Sequence, residues 1–197
     1  MTPRRILFTT HADVVIDPDV PVPDWPLSER GRARHAAQAQ ALAAGPVPAA
    51  IWSSGERKAR DAAEILAAAT GVAHRIAEGL HENDRSATGF LPPDEFEQTA
   101  DAFFAHPDQS IRGWETARQA QARIVREVGA CVAATTDDGD VWIVAHGGVG
   151  ALLLAHVTGQ PISRALDQPG RGGGNAFAYT DPPPVLDHGW RDISELS

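Results

Sequence analysis

Two short apolar runs, each ending abruptly at a histidine, constrain this 197-residue chain more than any other feature. The first is Arg5-Ile6-Leu7-Phe8-Thr9-Thr10-His11-Ala12, and the second is Val141-Trp142-Ile143-Val144-Ala145-His146-Gly147-Gly148. A run this short and this apolar, bounded by polar or small residues, reads as a strand covered on both faces. Strands of that kind belong to parallel sheets flanked by helices, where ligands collect beyond the carboxyl ends of the strands. As neighbours, these two would deliver two imidazoles to one rim.

The intervening segments fit that architecture. Pro18, Pro21, Pro23 and Pro26 exclude a helix from 12–26, and Trp25 is expected to pin this excursion to the body. Ser28 is a good N-cap for a helix over 29–44, which Gly45-Pro46 stops. A short buried strand is expected at 49–53. Ala59, Ala62, Ala63, Leu66 and Ala67 then recur at helical spacing over 56–70, and a third strand is expected at 72–76. This β-α-β-α-β order implies right-handed crossovers. After a loop over 79–93, helices are expected at 94–105 and 116–135, then the second histidine strand, a helix over 149–157 and a last strand over 176–180. Residues 170–174 read as a flexible turn, and Pro182-Pro183-Pro184 as the start of a polar tail. The expected fold is a single α/β domain over 1–197, a three-layer α/β/α sandwich with a mostly parallel central sheet.

Charge and cysteine content narrow the function classes. A net charge of −9 argues against binding nucleic acid or an acidic membrane surface. No apolar run reaches the roughly 18–20 residues needed to span a bilayer, and the N-terminus leads into a strand rather than a signal-peptide core. The one cysteine, Cys131, lies on an apolar stripe with Ile124, Val125, Val128 and Val132, so a core role and a reducing cytoplasm are expected. Oligomeric state leaves no mark on the sequence.

A neutral imidazole is a competent nucleophile near pH 7, and glycines after a strand let backbone N–H groups and a helix N-terminus approach an anion. The order strand-His11, Ser53-Ser54 before a helix, and strand-His146-Gly147-Gly148 resembles the histidine phosphatase superfamily, also called phosphoglycerate-mutase-like, over roughly residues 5–159. The resemblance implies His11 as a transiently phosphorylated nucleophile and His146 as the neighbour that stabilises the oxyanion. It also implies Glu82, in Leu80-His81-Glu82, as the proton donor, with Asp84 its competitor. The implied substrate is a small phosphorylated metabolite, and no cofactor is implied.

The chain departs from the family pattern at charged positions. Thr10-His11-Ala12 stands where the family has Arg-His-Gly, Lys58 where it has a second arginine, and Asp17 where it often has asparagine. A hydroxyl and an ammonium do not reproduce a bidentate guanidinium. Arg85 is the first candidate to restore that fork, ahead of Arg57, Arg60 and Arg171. The expected substrate-binding set is therefore Thr10, Lys58, Arg85 and Gly147. Three other readings stay open: a catalytically degenerate member that binds an anion or a protein partner, a mutase-type phosphotransferase, and a metal-dependent hydrolase. No metal is expected, because His11, Asp13, His81, Glu82 and His146 show none of the usual ligand spacings.

Overall fold

A computed structural model of the protein describes residues 3–196. Its strands are β1 (Arg4–Thr10), β2 (Ala50–Ser53), β3 (His74–Ile76), β4 (Val141–Ala145), β5 (Asn175–Asp181) and β6 (Val185–Asp192). Its α-helices are α1 (Glu29–Ala43), α2 (Arg57–Thr70), α3 (Pro93–Ala105), α4 (Ala117–Ala133) and α5 (Gly147–Thr158). The strands form one mixed, mostly parallel sheet of order β3-β2-β4-β1-β5-β6, with β5 and β6 antiparallel to their neighbours. The two histidine-bearing strands are its parallel central pair.

Helices cover both faces, so alternate residues of the central strands enter two cores. Ile6, Phe8 and Ile143 pack with Phe103 of α3, Ile124 and Val128 of α4, and Leu152 and Leu153 of α5. Leu7, Trp142 and Val144 pack on the other side with Ala59, Ala62, Ala63 and Leu66 of α2. The alanines bring α2 close to the sheet. Cys131 lies in the first core, and burial pushes its thiol up to about 12, which makes it a packing residue.

Local signals set the helix ends. The Ser28 side chain accepts the Gly31 N–H at 3.1 Å ahead of α1, and Gly71 closes α2 with φ of 72°. Trp25 holds the proline-rich excursion, its indole N–H lying 2.9 Å from the Asp17 carbonyl and 3.0 Å from that of Val20.

Three expectations need correction. The segment after Pro182 is not a polar tail: β6 pairs with β5 along the sheet edge. Val185 and Leu186 are exposed there, so the strand carries little hydrophobic alternation, yet Trp190 packs edge-on against Phe177 at 4.8 Å between ring centres. β3 is only three residues long and lies on the other edge. α5 begins at Gly147, two residues before the expected start, so His146 is itself the N-cap. No described helix is long and apolar enough to cross a membrane.

Candidate active site

Strand register brings the two histidines together. Thr10 lies opposite Ala145 in the β1–β4 pair, and Ser53 lies opposite Val144 in the β2–β4 pair. The next residues, His11, His146 and Ser54, therefore emerge at one level of the sheet. The rings of His11 and His146 are 5.2 Å apart between centroids, inclined at 66°.

His11 is held in one tautomer. Its Nδ1 lies 2.9 Å from the Ala12 carbonyl oxygen, which only accepts, so Nδ1 carries the proton and Nε2 keeps its lone pair. Behind it, the Ala12 N–H donates to Nε2 of His35 at 3.0 Å, and Nδ1 of His35 lies 2.9 Å from Oε1 of Gln38. Burial lowers the His11 imidazole to about 4, and the nearby Lys58 ammonium acts in the same direction. Burial likewise lowers His35 to about 4. Both are neutral near pH 7.

His146 is fully buried, and desolvation holds it well below the ordinary imidazole range. Its Nε2 lies 2.9 Å from Oγ of Ser54 and 3.4 Å from Oε1 of Glu56, while Nδ1 has no partner. Glu56, at the N-cap of α2, was not expected here. It forms a close ion pair with Lys58 and accepts the Glu82 N–H at 2.9 Å. Burial opposes its ionisation, but the Lys58 ammonium and the Glu82 N–H hold it below the usual carboxylate range. Lys58 is only 3% exposed and also donates to the Val22 carbonyl at 2.8 Å, so its charge is already matched inside the protein. The signal for Glu56 was weak, because an acid in the first turn of a helix is ordinarily a favourable dipole partner.

Glu82 faces the same helix N-terminus that follows His146. Its carboxylate accepts the N–H groups of Gly148 at 3.0 Å and Val149 at 2.9 Å. A Cβ on Gly148 would lie 2.7 Å from its Oε1, so glycine is required for this approach. Arg123, which the sequence reading passed over, anchors the Glu82 loop by donating to the carbonyls of Gly79 at 2.9 Å and His81 at 2.8 Å while paired with Glu115. Nothing local in the chain marks that long-range clamp.

The remaining expected residues divide in two groups. Thr10 is buried, its hydroxyl 2.7 Å from Oε1 of Gln168 and 3.0 Å from the Asn175 N–H. Gly147 faces the same glutamine, since a Cβ there would lie 2.2 Å from Nε2 of Gln168. The glycine turn at 170–174 is not loose at its end: Gly174 donates to the His11 carbonyl at 2.9 Å, and a Cβ on Gly173 would collide with that oxygen. Arg85, by contrast, lines a cavity of about 610 Å³ together with Glu56, Glu82 and Asn83. It forms no ion pair among the described residues, and its guanidinium lies 5.0 Å over the ring of Phe96. Asn83 is 6% exposed with Nδ2 unpartnered, a donor left for a ligand oxygen. Asp17 is exposed and lines neither this cavity nor its neighbour. Among the described residues no three His, Cys, Asp or Glu side chains converge as a metal site.

Comparison with known proteins identifies the family and the fold. A mycobacterial glucosyl-3-phosphoglycerate phosphatase with inorganic phosphate is 25% identical, covers 97% of this chain and 99% of its own, and superposes with a TM-score of 0.76. Its complex with VO3 gives 25% identity, coverage of 94% and 98%, and a TM-score of 0.75. Bacillus stearothermophilus YhfR shares the fold at 22% identity, coverage of 98% and 96%, and a TM-score of 0.72. A search of curated proteins finds no match. The family model described as histidine phosphatase superfamily (branch 1) matches residues 20–175, most of the chain, and the protein belongs to that superfamily.

Proposed function

We propose that the protein hydrolyses a small phosphomonoester through a phosphohistidine on His11. The observation that carries this reading is the His11 imidazole, with Nδ1 bonded to the Ala12 carbonyl, Nε2 unprotonated and His146 5.2 Å away. The Nε2 lone pair attacks phosphorus while the bond to the leaving oxygen breaks, and that oxygen takes a proton from Glu82. Water, giving a proton back to Glu82, then attacks the phosphohistidine, and the N–P bond breaks to release orthophosphate and neutral His11. Donors to the equatorial oxygens supply most of the stabilisation in such a reaction, and here they are His146, Nδ2 of Asn83 and Arg85, while the Lys58 ammonium is held by Glu56 and the Val22 carbonyl. Thr10 and Gly147 act at one remove, by seating Gln168 against the floor of the site. The mycobacterial relative, solved with inorganic phosphate and with VO3, supports an oxyanion as ligand. The residues needed to retain a bisphosphorylated intermediate are not identifiable, which favours hydrolysis over mutase chemistry.

A panel of phosphomonoesters tests the reading. Turnover is expected to vanish in His11→Ala and to persist in His188→Ala, with acid-labile phosphate trapped on the wild-type chain alone. Equal turnover in His11→Ala overturns it. A second reading, an oxyanion receptor without chemistry, is favoured by the Glu56–Lys58 pair, which neutralises a cradle cation internally. Phosphate binding with no phosphohistidine and no turnover is its signature.

A further inference from the structure

Beside the mouth lined by Glu82 lies a second cavity of about 460 Å³ that the phosphoryl chemistry does not use. The two share Val22, Arg85 and Gly89, so they are continuous across the Arg85 side chain. Neither His11 nor His146 lines it; two of its lining residues contact their neighbourhood, Gln168 holding Thr10 and Gly173 abutting the His11 carbonyl.

Part of the wall is apolar and aromatic, beside the charged side chains of Arg85, Asp94, Glu97, Arg164, Asp167 and Arg171. Trp25 and Phe90 meet at 5.8 Å between ring centres, Phe96 carries Arg85 over its face, and Leu91 and Ile16 complete the lining. Ile16 is 61% exposed and so available to a ligand. The polar groups on this wall are mostly spent. Gln168 Oε1 takes the Thr10 hydroxyl at 2.7 Å and the Asn175 amide at 3.1 Å, and Arg164 neutralises Glu97 and Asp167. Among the described residues, Arg85 and Arg171 remain without ion pairs, against Asp94 alone. An aromatic ring would gain contact here with aromatic faces and with a guanidinium, while a polyhydroxylated group would find Arg85, Arg171 and Asp94 as its charged partners free of ion pairs.

Resting on the phosphatase reading above, we infer that the second cavity is the leaving-group subsite and that the substrate class is the monophosphate of an aromatic or similarly flat, apolar alcohol. The experiment separates binding from turnover. Affinities of benzylphosphonate and methylphosphonate are measured by calorimetry, and hydrolysis of 1-naphthyl phosphate and glycerol 3-phosphate is followed by phosphate release. Burial of a phenyl ring leads one to expect about tenfold or more tighter binding of the aryl phosphonate. The aryl-to-methyl ratio is expected to shrink in Phe90→Ala and in Ile16→Ala, the latter at an exposed position that folding tolerates. Equal affinity for the two phosphonates, or a ratio indifferent to both substitutions, overturns the subsite while leaving His11-dependent hydrolysis standing. Aryl-selective binding without turnover keeps the subsite and removes the hydrolase reading. Binding of neither phosphonate removes both.

Discussion

At His146 a buried imidazole faces a buried carboxylate 3.4 Å away, and that carboxylate already holds the ammonium of Lys58. A phosphate entering this rim meets the negative charge of Glu56 at short range, where charge interactions are weakly screened. Glu56→Gln keeps the volume, removes the charge and frees Lys58 for the anion. Phosphate affinity is expected to rise about tenfold in calorimetry, and an unchanged or weaker affinity rules out competition between Glu56 and the ligand. His35 acts further back. It accepts the Ala12 N–H, and Ala12 in turn orients His11, so His35 is a positioning residue. His35→Leu leaves a buried N–H unpaired, with an expected stability loss of about 1–3 kcal/mol by chemical denaturation. A fall in kcat larger than any change in KM would mark the loosened nucleophile, whereas unaltered kinetics would confine His35 to packing.

Helix α5 is the element on which the site turns, because its N-terminus follows His146 directly and its first N–H groups point at Glu82. A hydrogen-bond acceptor belongs at such a terminus, and the carboxyl oxygens of Glu82 supply it. Capping and proton transfer are thus two tasks assigned to one side chain, and two substitutions separate them. Glu82→Ala is expected to cost about 0.5–2 kcal/mol of stability together with turnover. Glu82→Gln retains an acceptor for the helix, so most of the stability should survive while turnover is lost. Normal turnover in Glu82→Gln would reduce the residue to a cap. The element preceding β5 has a similar double life. The glycine-rich turn, legible as a break in regular structure, presses its last two residues against the His11 carbonyl and is stapled from behind by Arg34, which donates to the carbonyls of Gly173 and Gly174 at 3.0 Å.

Across the whole molecule, three imidazoles are buried neutral: His11 and His35 at about 4, and His146 below its ordinary value. In the unfolded chain each returns to about 6.5. Between those values the unfolded state binds more protons, so stability rises with pH through that window and is lost as pH falls from about 6.5 toward 4. Glu56, lowered by its partners despite burial, loses its contribution at still lower pH and so adds to the same trend. Urea midpoints are expected to be level above about pH 7 and to fall steadily below 6.5; a midpoint constant between pH 7 and 5 contradicts the buried-neutral assignment. The parts of this protein readable without coordinates are those encoded by near neighbours in the chain. Apolar runs ending at His11 and His146 specify strands, alanines at three- and four-residue spacing specify α2, and glycines such as Gly71 stop helices, because each depends on residues a turn or a pleat apart. The pairing of Glu56 with Lys58 against His146, the loan of Thr10 to Gln168, the Arg123 clamp and the β6 edge strand were decided by tertiary structure. Each rests on a contact whose energy depends on which distant segment arrives opposite it, and the packing of the whole chain determines that arrival.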